Sequence, residues 1–214
     1  MNKLISIDIY SDTICPWCYI GYVKFNEALE YFNDVEFEII WRPFQLNPDI
    51  PLDGIDRNEY LNKKFGGREQ AYKVYKRIED EGRLVNIHFQ FKKIKKTPNS
   101  FLSHKLLAFA FDKQKQNEVL ESIFFNYFIE GKDIGNLDTI IEIVKQTNLY
   151  EDGIEEYLLS KKDNANLLNE AQQANAIGIS GVPCFIFNKE FVINGAQPAD
   201  VFQNIIYSLK ANGQ

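Results

Sequence analysis

The chain has 214 residues, of which 45% are hydrophobic and 25% charged, and its formal net charge is −6. This length fits one core with an insertion better than two full domains, and an acidic balance argues against a nucleic-acid partner held by phosphate neutralisation. No run approaches the roughly 20 apolar residues of a membrane-spanning helix, so no membrane partner is expected. Asp8 interrupts the N-terminal stretch where a secretion signal needs an unbroken apolar core, so cytoplasmic residence is expected.

In chain order, residues 4–10 alternate apolar and polar and are rich in Ile, which predicts a strand leading into Ser11-Asp12-Thr13. Apolar residues then recur near helical spacing over 16–32, with Pro16 suited to a first turn whose N–H needs no partner. Residues 35–41 read as a second strand, ended by the prolines of Arg42-Pro43-Phe44-Gln45-Leu46-Asn47-Pro48. Strand, helix, strand is the unit from which parallel sheets grow.

From Asp56 onward the pattern turns helical. Helices are predicted over 57–81 with a break at Gly66-Gly67, after the cap-like Thr97-Pro98-Asn99-Ser100, and over 117–130, 137–148, 153–160 and 163–176. Strand character returns over 184–187 and 191–193, close enough for a hairpin, and a last helix covers 198–209. The fold class expected is therefore α/β, a discontinuous domain of residues 1–55 and 177–214 interrupted by an all-helical insertion of residues 56–176. The basic run Lys92-Lys93-Ile94-Lys95-Lys96 is read as a solvated loop.

The chemistry centres on Cys15-Pro16-Trp17-Cys18. Three cysteines are too few for a disulfide-stapled scaffold, so a closely spaced pair in a reducing compartment is catalytic or metal-binding. At a helix start, unpaired backbone N–H groups and the helix dipole favour the thiolate of the first cysteine, which makes Cys15 the attacking residue. Cys18, one turn further in, is placed to resolve the mixed disulfide. Zinc is the competing reading, but a closed zinc site needs four ligands and only Cys184, His88 and His104 remain. No metal is expected.

A second signal is Gly178-Ile179-Ser180-Gly181-Val182-Pro183-Cys184-Phe185-Ile186. A proline entering an apolar strand removes a ladder donor, and an X-Pro bond at such a bend is a plausible cis peptide. With the cysteine pair, this resembles the thioredoxin superfamily, in which a cis-proline loop faces the dithiol and the backbone before the proline pairs with substrate. The resemblance assigns a catalytic role to Pro183 beside Cys15 and Cys18, and substrate contacts to Val182.

The match extends further. The segment from Ser11 to Gly21, the run from Trp41 to Pro48, Asn99 with His104, Gly131-Lys132-Asp133-Ile134, and Gly181-Val182-Pro183 followed by Asn194-Gly195-Ala196-Gln197 together resemble the DsbA-like oxidoreductases of the FrnE type. That resemblance implies a thioredoxin fold interrupted by helices, disulfide exchange with protein or small-thiol substrates, and the cytoplasm as compartment. It implies no bound cofactor beyond a redox-active Cys15–Cys18 disulfide, with glutathione a candidate redox partner. The substrate-binding candidates are Val182, Trp17, Pro16, Asn99 and His104. The same branch contains glutathione-dependent transferases and 2-hydroxychromene-2-carboxylate isomerases, which carry Ser in place of the first Cys; both cysteines here favour redox exchange.

Four residues have plain structural readings beside the functional ones. Asn99 suits a helix cap, and His104 a satisfied buried histidine or a cleft residue. Asp12 is a turn residue or an influence on thiol proton transfer. Cys184 is a small buried hydrophobe or a third redox thiol. Trp17 puts no positive charge between the cysteines, which predicts a reduction potential below the about −120 mV of DsbA.

Overall fold

Alternation in the first strand sorts its side chains between two faces. In the computed structural model, which describes residues 3–211, strand β1 (Lys3–Ser11) buries Ile5, Ile7 and Ile9 in the main core, while Tyr10 packs on the opposite face. Helix α1 (Pro16–Leu29) follows, with Pro16 in its first turn. It stops short of the predicted residue 32; Phe32 N–H bonds to Leu29 O in a tightening turn, yet the ring stays buried. Apolar periodicity marked its burial correctly and its backbone wrongly.

Strand β2 (Val35–Pro43) runs parallel to β1, paired from Lys3 with Val35 to Ser11 with Pro43. The sheet is completed from the far end of the chain. The later strands are numbered in chain order, β3 and β4 lying in the insertion described next. Strand β5 (Cys184–Phe187) is antiparallel to β1 and to β6 (Phe191–Asn194), which gives the order β2-β1-β5-β6. Phe25 of α1 packs on Phe185 and Phe187 of β5 and on Phe202 of the last helix, α9 (Ala199–Ala211), so α1 and α9 cover one face. On the other face, Phe44, Ala174, Ile179 and Cys184 form a smaller cluster.

Between β2 and β5 lie α2 (Arg57–Phe65), α3 (Arg68–Arg83), α4 (Phe101–Asp112), α5 (Gln116–Phe128), α6 (Leu137–Gln146), α7 (Ile154–Leu159) and α8 (Asn164–Ala176). The predicted break at Gly66-Gly67 falls between α2 and α3, with Gly66 in the left-handed conformation at φ 77°. The insertion also carries a two-residue antiparallel ladder of β3 (Ile55–Asp56) with β4 (Lys96–Thr97), too short to leave a periodic trace in sequence.

The insertion is fastened directly behind the cysteines. Tyr19 of α1 stacks on Phe124 of α5 with ring centroids 5.0 Å apart, and one continuous apolar core runs from the sheet through α1 into α4, α5 and α6. Gln116 pairs its side-chain amide with Trp41 of β2: Trp41 N–H donates to Oε1 at 2.9 Å, and Nε2 donates back to Trp41 O at 3.2 Å. A side chain thus occupies the ladder position at the open edge of β2. The Trp41 indole N–H donates to Asn117 Oδ1, which anchors the same edge to α5.

Candidate active site

Cys15 occupies the N-cap of α1 in an extended conformation, φ −93° and ψ 114°. Its N–H donates to Asp12 O at 3.0 Å, and its own carbonyl accepts from Cys18 N at 3.0 Å and Tyr19 N at 3.4 Å. The turn therefore delivers the Cys15 side chain to the end of the helix where backbone N–H groups lack intrahelical partners and the dipole is positive. Cys15, Cys18 and Cys184 are all free thiols.

Opposite the helix end, the Val182–Pro183 bond is cis, and the Cys15 thiol donates to Val182 O at 3.7 Å. Pro183 O accepts from Gly195 N at 2.8 Å, which ties this bend to the start of the segment leading to α9. Gly21 makes the close approach possible: a Cβ there would lie 2.9 Å from Pro183 Cγ. The bend covers Cys15, which is only 4% exposed. The covering residues lie 167 positions away, and no local pattern reports them.

Cys18 is fully buried beneath Cys15. Burial, then the hydrogen bond and charge of Cys15, push its thiol well above the ordinary range; the Ser11 hydroxyl and the Asp12 backbone act in the opposite direction. At neutral pH Cys18 is therefore held as a protonated thiol. The two sulfurs differ in surroundings: one at the positive end of a helix, the other buried one turn below.

Behind the dithiol lies a closed set of polar contacts. Asp12 is fully buried; its Oδ2 accepts from Leu46 N at 2.7 Å and its Oδ1 from Ile14 N at 3.3 Å. His104 Nε2 lies 3.6 Å from Asp12 Oδ1 and donates to Phe44 O at 3.1 Å. Ser103 donates to Ser100 O at 2.8 Å, which leaves Thr13 as the donor in its 2.7 Å bond to Ser103. The Asp12 side chain is thus more than a turn former. It binds the segment before the cysteines to the loop after β2 and to α4.

The predicted site residues divide into two groups. Cys15, Cys18, Pro16, Trp17, Val182 and Pro183 gather around the first turn of α1, with Pro16, Trp17 and Val182 half-buried. Asn99 and His104 make no hydrogen bond to the cysteines among the described residues; His104 belongs to the contacts of Asp12 behind them. Asn99 is buried one residue before the N-cap of α4; its Oδ1 accepts from Phe101 N and Gln45 Nε2, and its Nδ2 donates to Ile50 O at 2.6 Å. It ties the loop of residues 44–50 to α4. His104 borders a cavity of 130 Å³ beside Trp41, Pro43 and Gln116.

Cys184 faces away from the dithiol. Side chains alternate along β5, so that Phe185 and Phe187 meet α1 while Cys184 packs with Phe44, Ala174 and Ile179 on the opposite side of the sheet. Burial raises its thiol pKa. Among the described residues no group of three His, Cys, Asp or Glu side chains could hold a metal ion. Nor is any helix among them long and apolar enough to cross a membrane. Sequence reasoning carried Gly21 only as the end of the segment from Ser11 to Gly21 and missed its close approach to Pro183, as it missed the pairing of Thr13 with Ser103.

Comparison with known proteins follows the same outline. The model of the DSBA-like thioredoxin domain family matches residues 6–207. The uncharacterized protein YwbO of Bacillus subtilis is 27% identical over 206 residues, spanning 94% of this chain and 96% of its own. A probable DsbA oxidoreductase from Streptomyces coelicolor superposes with a TM-score of 0.87 at 23% identity, over 98% of this chain and 92% of that one. The cytosolic disulfide reductase DsbM from Pseudomonas aeruginosa, solved with GSH, superposes with a TM-score of 0.70 at 14% identity, over 96% and 99%.

Proposed function

Because the chain belongs to the DSBA-like thioredoxin domain family, we propose that it exchanges disulfides with protein or small-thiol substrates through Cys15 and Cys18. The observation that carries the reading is the position of Cys15, at the N-cap of α1 and 3.7 Å from the carbonyl of Val182. A substrate strand reaching that carbonyl would place its own sulfur against Cys15. Pro183 shapes the bend, and Pro16 and Trp17 border the approach.

In the reducing direction, the Cys15 thiolate attacks a substrate disulfide, forming a mixed disulfide and releasing one substrate thiolate, which takes up a proton. Cys18 then gives up its proton and attacks the Cys15 sulfur. The second substrate thiolate leaves and the Cys15–Cys18 disulfide closes. Two electrons have passed from the dithiol to the substrate. Two molecules of a small thiol such as glutathione restore the dithiol and become one disulfide in turn. The cytoplasm, rich in such thiols, is the compartment we assign; DsbM, a cytosolic disulfide reductase solved with GSH, has the same fold.

The decisive experiment is trapping with Cys18→Ala in cells. The expected result is a stalled mixed disulfide on Cys15, absent from Cys15→Ser. Full turnover by Cys18→Ala would instead indicate glutathione-dependent isomerase or transferase chemistry, which needs only one thiol-activating position. Equilibration with glutathione buffers should also place the potential below the about −120 mV of DsbA; a value that high would refute this part of the reading.

A further inference from the structure

The basic run of residues 92–96 divides by partner. Lys93 lies 3.8 Å from Glu130 and Lys96 lies 3.0 Å from Asp133, whereas Lys92 and Lys95 have no carboxylate partner among the described residues. Both line a 460 Å³ cavity between α2, α3 and the segment before β4, together with Arg57 and Arg68. The Arg68 guanidinium donates to the neutral Asn58 Oδ1. Four cations thus converge on one cavity of an acidic protein, and among the described residues none has a counter-ion.

Arg57 gives the site its character. Its side chain is 8% exposed, and it donates to Thr97 Oγ1 at 3.0 Å and to Tyr75 OH at 2.7 Å. The guanidinium also lies 5.2 Å from the ring centroids of Tyr60 and Tyr75. These contacts occupy two of its five N–H donors, and a buried cation without an anion is costly. Two carboxylates, Asp56 and Glu79, also line the cavity, so the four cations outnumber the anions two to one; Asp56 is held at the start of α2, where its Oδ1 accepts from Asn58 N and Glu59 N. The β3–β4 ladder, with Arg57 N bonded to Lys95 O at 2.9 Å, holds the lysine segment against the arginine. Tyr75 and Phe91, with centroids 4.4 Å apart, supply an aromatic wall that Leu61 and Ile94 extend.

We propose that this cavity binds a small organic anion, a carboxylate joined to an apolar or planar body, with Arg57 as the buried counter-ion and Lys95 and Arg68 at the rim. The volume falls in the range of small-molecule sites, about 300–1,000 Å³. Charge-assisted hydrogen bonds from a planar guanidinium match a carboxylate, and the aromatic wall takes the body. Tyr75 of its wall lies within electrostatic reach of Cys15, and anion binding is a readout that the thiol-exchange experiments do not measure.

The test is titration of the full chain with benzoate, neutral benzamide and inorganic phosphate, followed by calorimetry and by the NMR signals of Tyr75 and Lys95. Saturable benzoate binding is expected, with benzamide and phosphate each weaker by about tenfold or more, the factor that roughly 1.4 kcal/mol represents. Arg57→Gln should lose benzoate binding by at least the same factor. Because Arg57 is buried, the rim variant Arg68→Gln/Lys95→Gln provides a second reading and should weaken benzoate severalfold in a folded protein. Equal binding of benzamide, equal binding of phosphate, no saturable benzoate binding, or an unchanged affinity in the rim variant would each overturn the proposal.

Discussion

Replacing Gly21 by alanine sets two effects of opposite sign against each other. In a helix interior, Gly→Ala normally stabilises by about 0.5–1 kcal/mol through backbone entropy. Here the new methyl would sit 2.9 Å from Pro183 Cγ, with Phe185 Cζ at 3.5 Å and Ala196 Cα at 3.6 Å closing the other sides. An ordinary carbon–carbon contact is about 3.5–4.0 Å, so the helix and the proline bend must part by roughly 0.6 Å or more. The obstructing atom belongs to a ring whose carbonyl is bonded to Gly195, not to the tip of a flexible chain. Overpacking of this kind costs about 1–3 kcal/mol, which exceeds the helix gain. We expect a net loss of about 0.5–2 kcal/mol in urea unfolding of the reduced protein. The bend carries Val182 with it, so mixed-disulfide formation at Cys15, measured against a small aromatic disulfide, should slow severalfold. A variant more stable by the helix increment, with unchanged exchange at Cys15, would refute the argument that Gly21 is there to admit Pro183.

Asn99→Ala should lower stability by about 2–4 kcal/mol, because it leaves the Ile50 carbonyl and the Phe101 N–H without their partner, while thiol exchange in the folded variant stays within about twofold of the parent. A large loss of exchange at unchanged stability would return Asn99 to the substrate contacts. Tyr127→Phe should be neutral or stabilise by up to about 1 kcal/mol in the same urea assay, since the phenol oxygen is buried without a hydrogen-bond partner among the described residues; a substantial loss would reveal a bond to buried solvent. The Cys18 thiol is raised in the folded state above its ordinary 9.0, so its contribution to stability is complete below about that pH and is lost as pH climbs toward the folded value. Relative to Cys18→Ala, the reduced protein should therefore lose up to about 1.4 kcal/mol per pH unit above 9 in urea unfolding, and a parallel pH dependence of the two proteins would contradict the shift.

What the sequence discloses depends on how locally each feature is encoded. The Ile5, Ile7, Ile9 alternation and the Pro16 first turn are short-range patterns, and both elements stand where those patterns put them. The bend at Pro183 was legible because proline is constrained at its own position. The features missed are made between segments distant in sequence. Thr13 and Ser103 are 90 residues apart, and the amide pairing of Gln116 with Trp41 spans 75. Asn99 looked like a cap and bonds the first helical N–H, yet its larger task is to hold a loop roughly fifty residues upstream, which no local signal announces. The placement of Cys184 turns on which strand face it occupies, and that was fixed only once β5 was paired with β1.

That late pairing also bears on biosynthesis. Cys15 and the carbonyl that covers it are separated by 167 residues, with the whole insertion between them. At about 5–20 residues per second, a ribosome needs roughly ten to thirty seconds to cover that distance. Throughout the interval, the nascent chain can form β1, α1 and β2, but it has no β5 to complete the sheet and no bend to lie over the sulfur. The thiol that the finished protein holds at 4% exposure is therefore uncovered while the chain is still attached. Covering of Cys15 coincides with completion of the fold, so a truncated or stalled product carries that thiol unshielded.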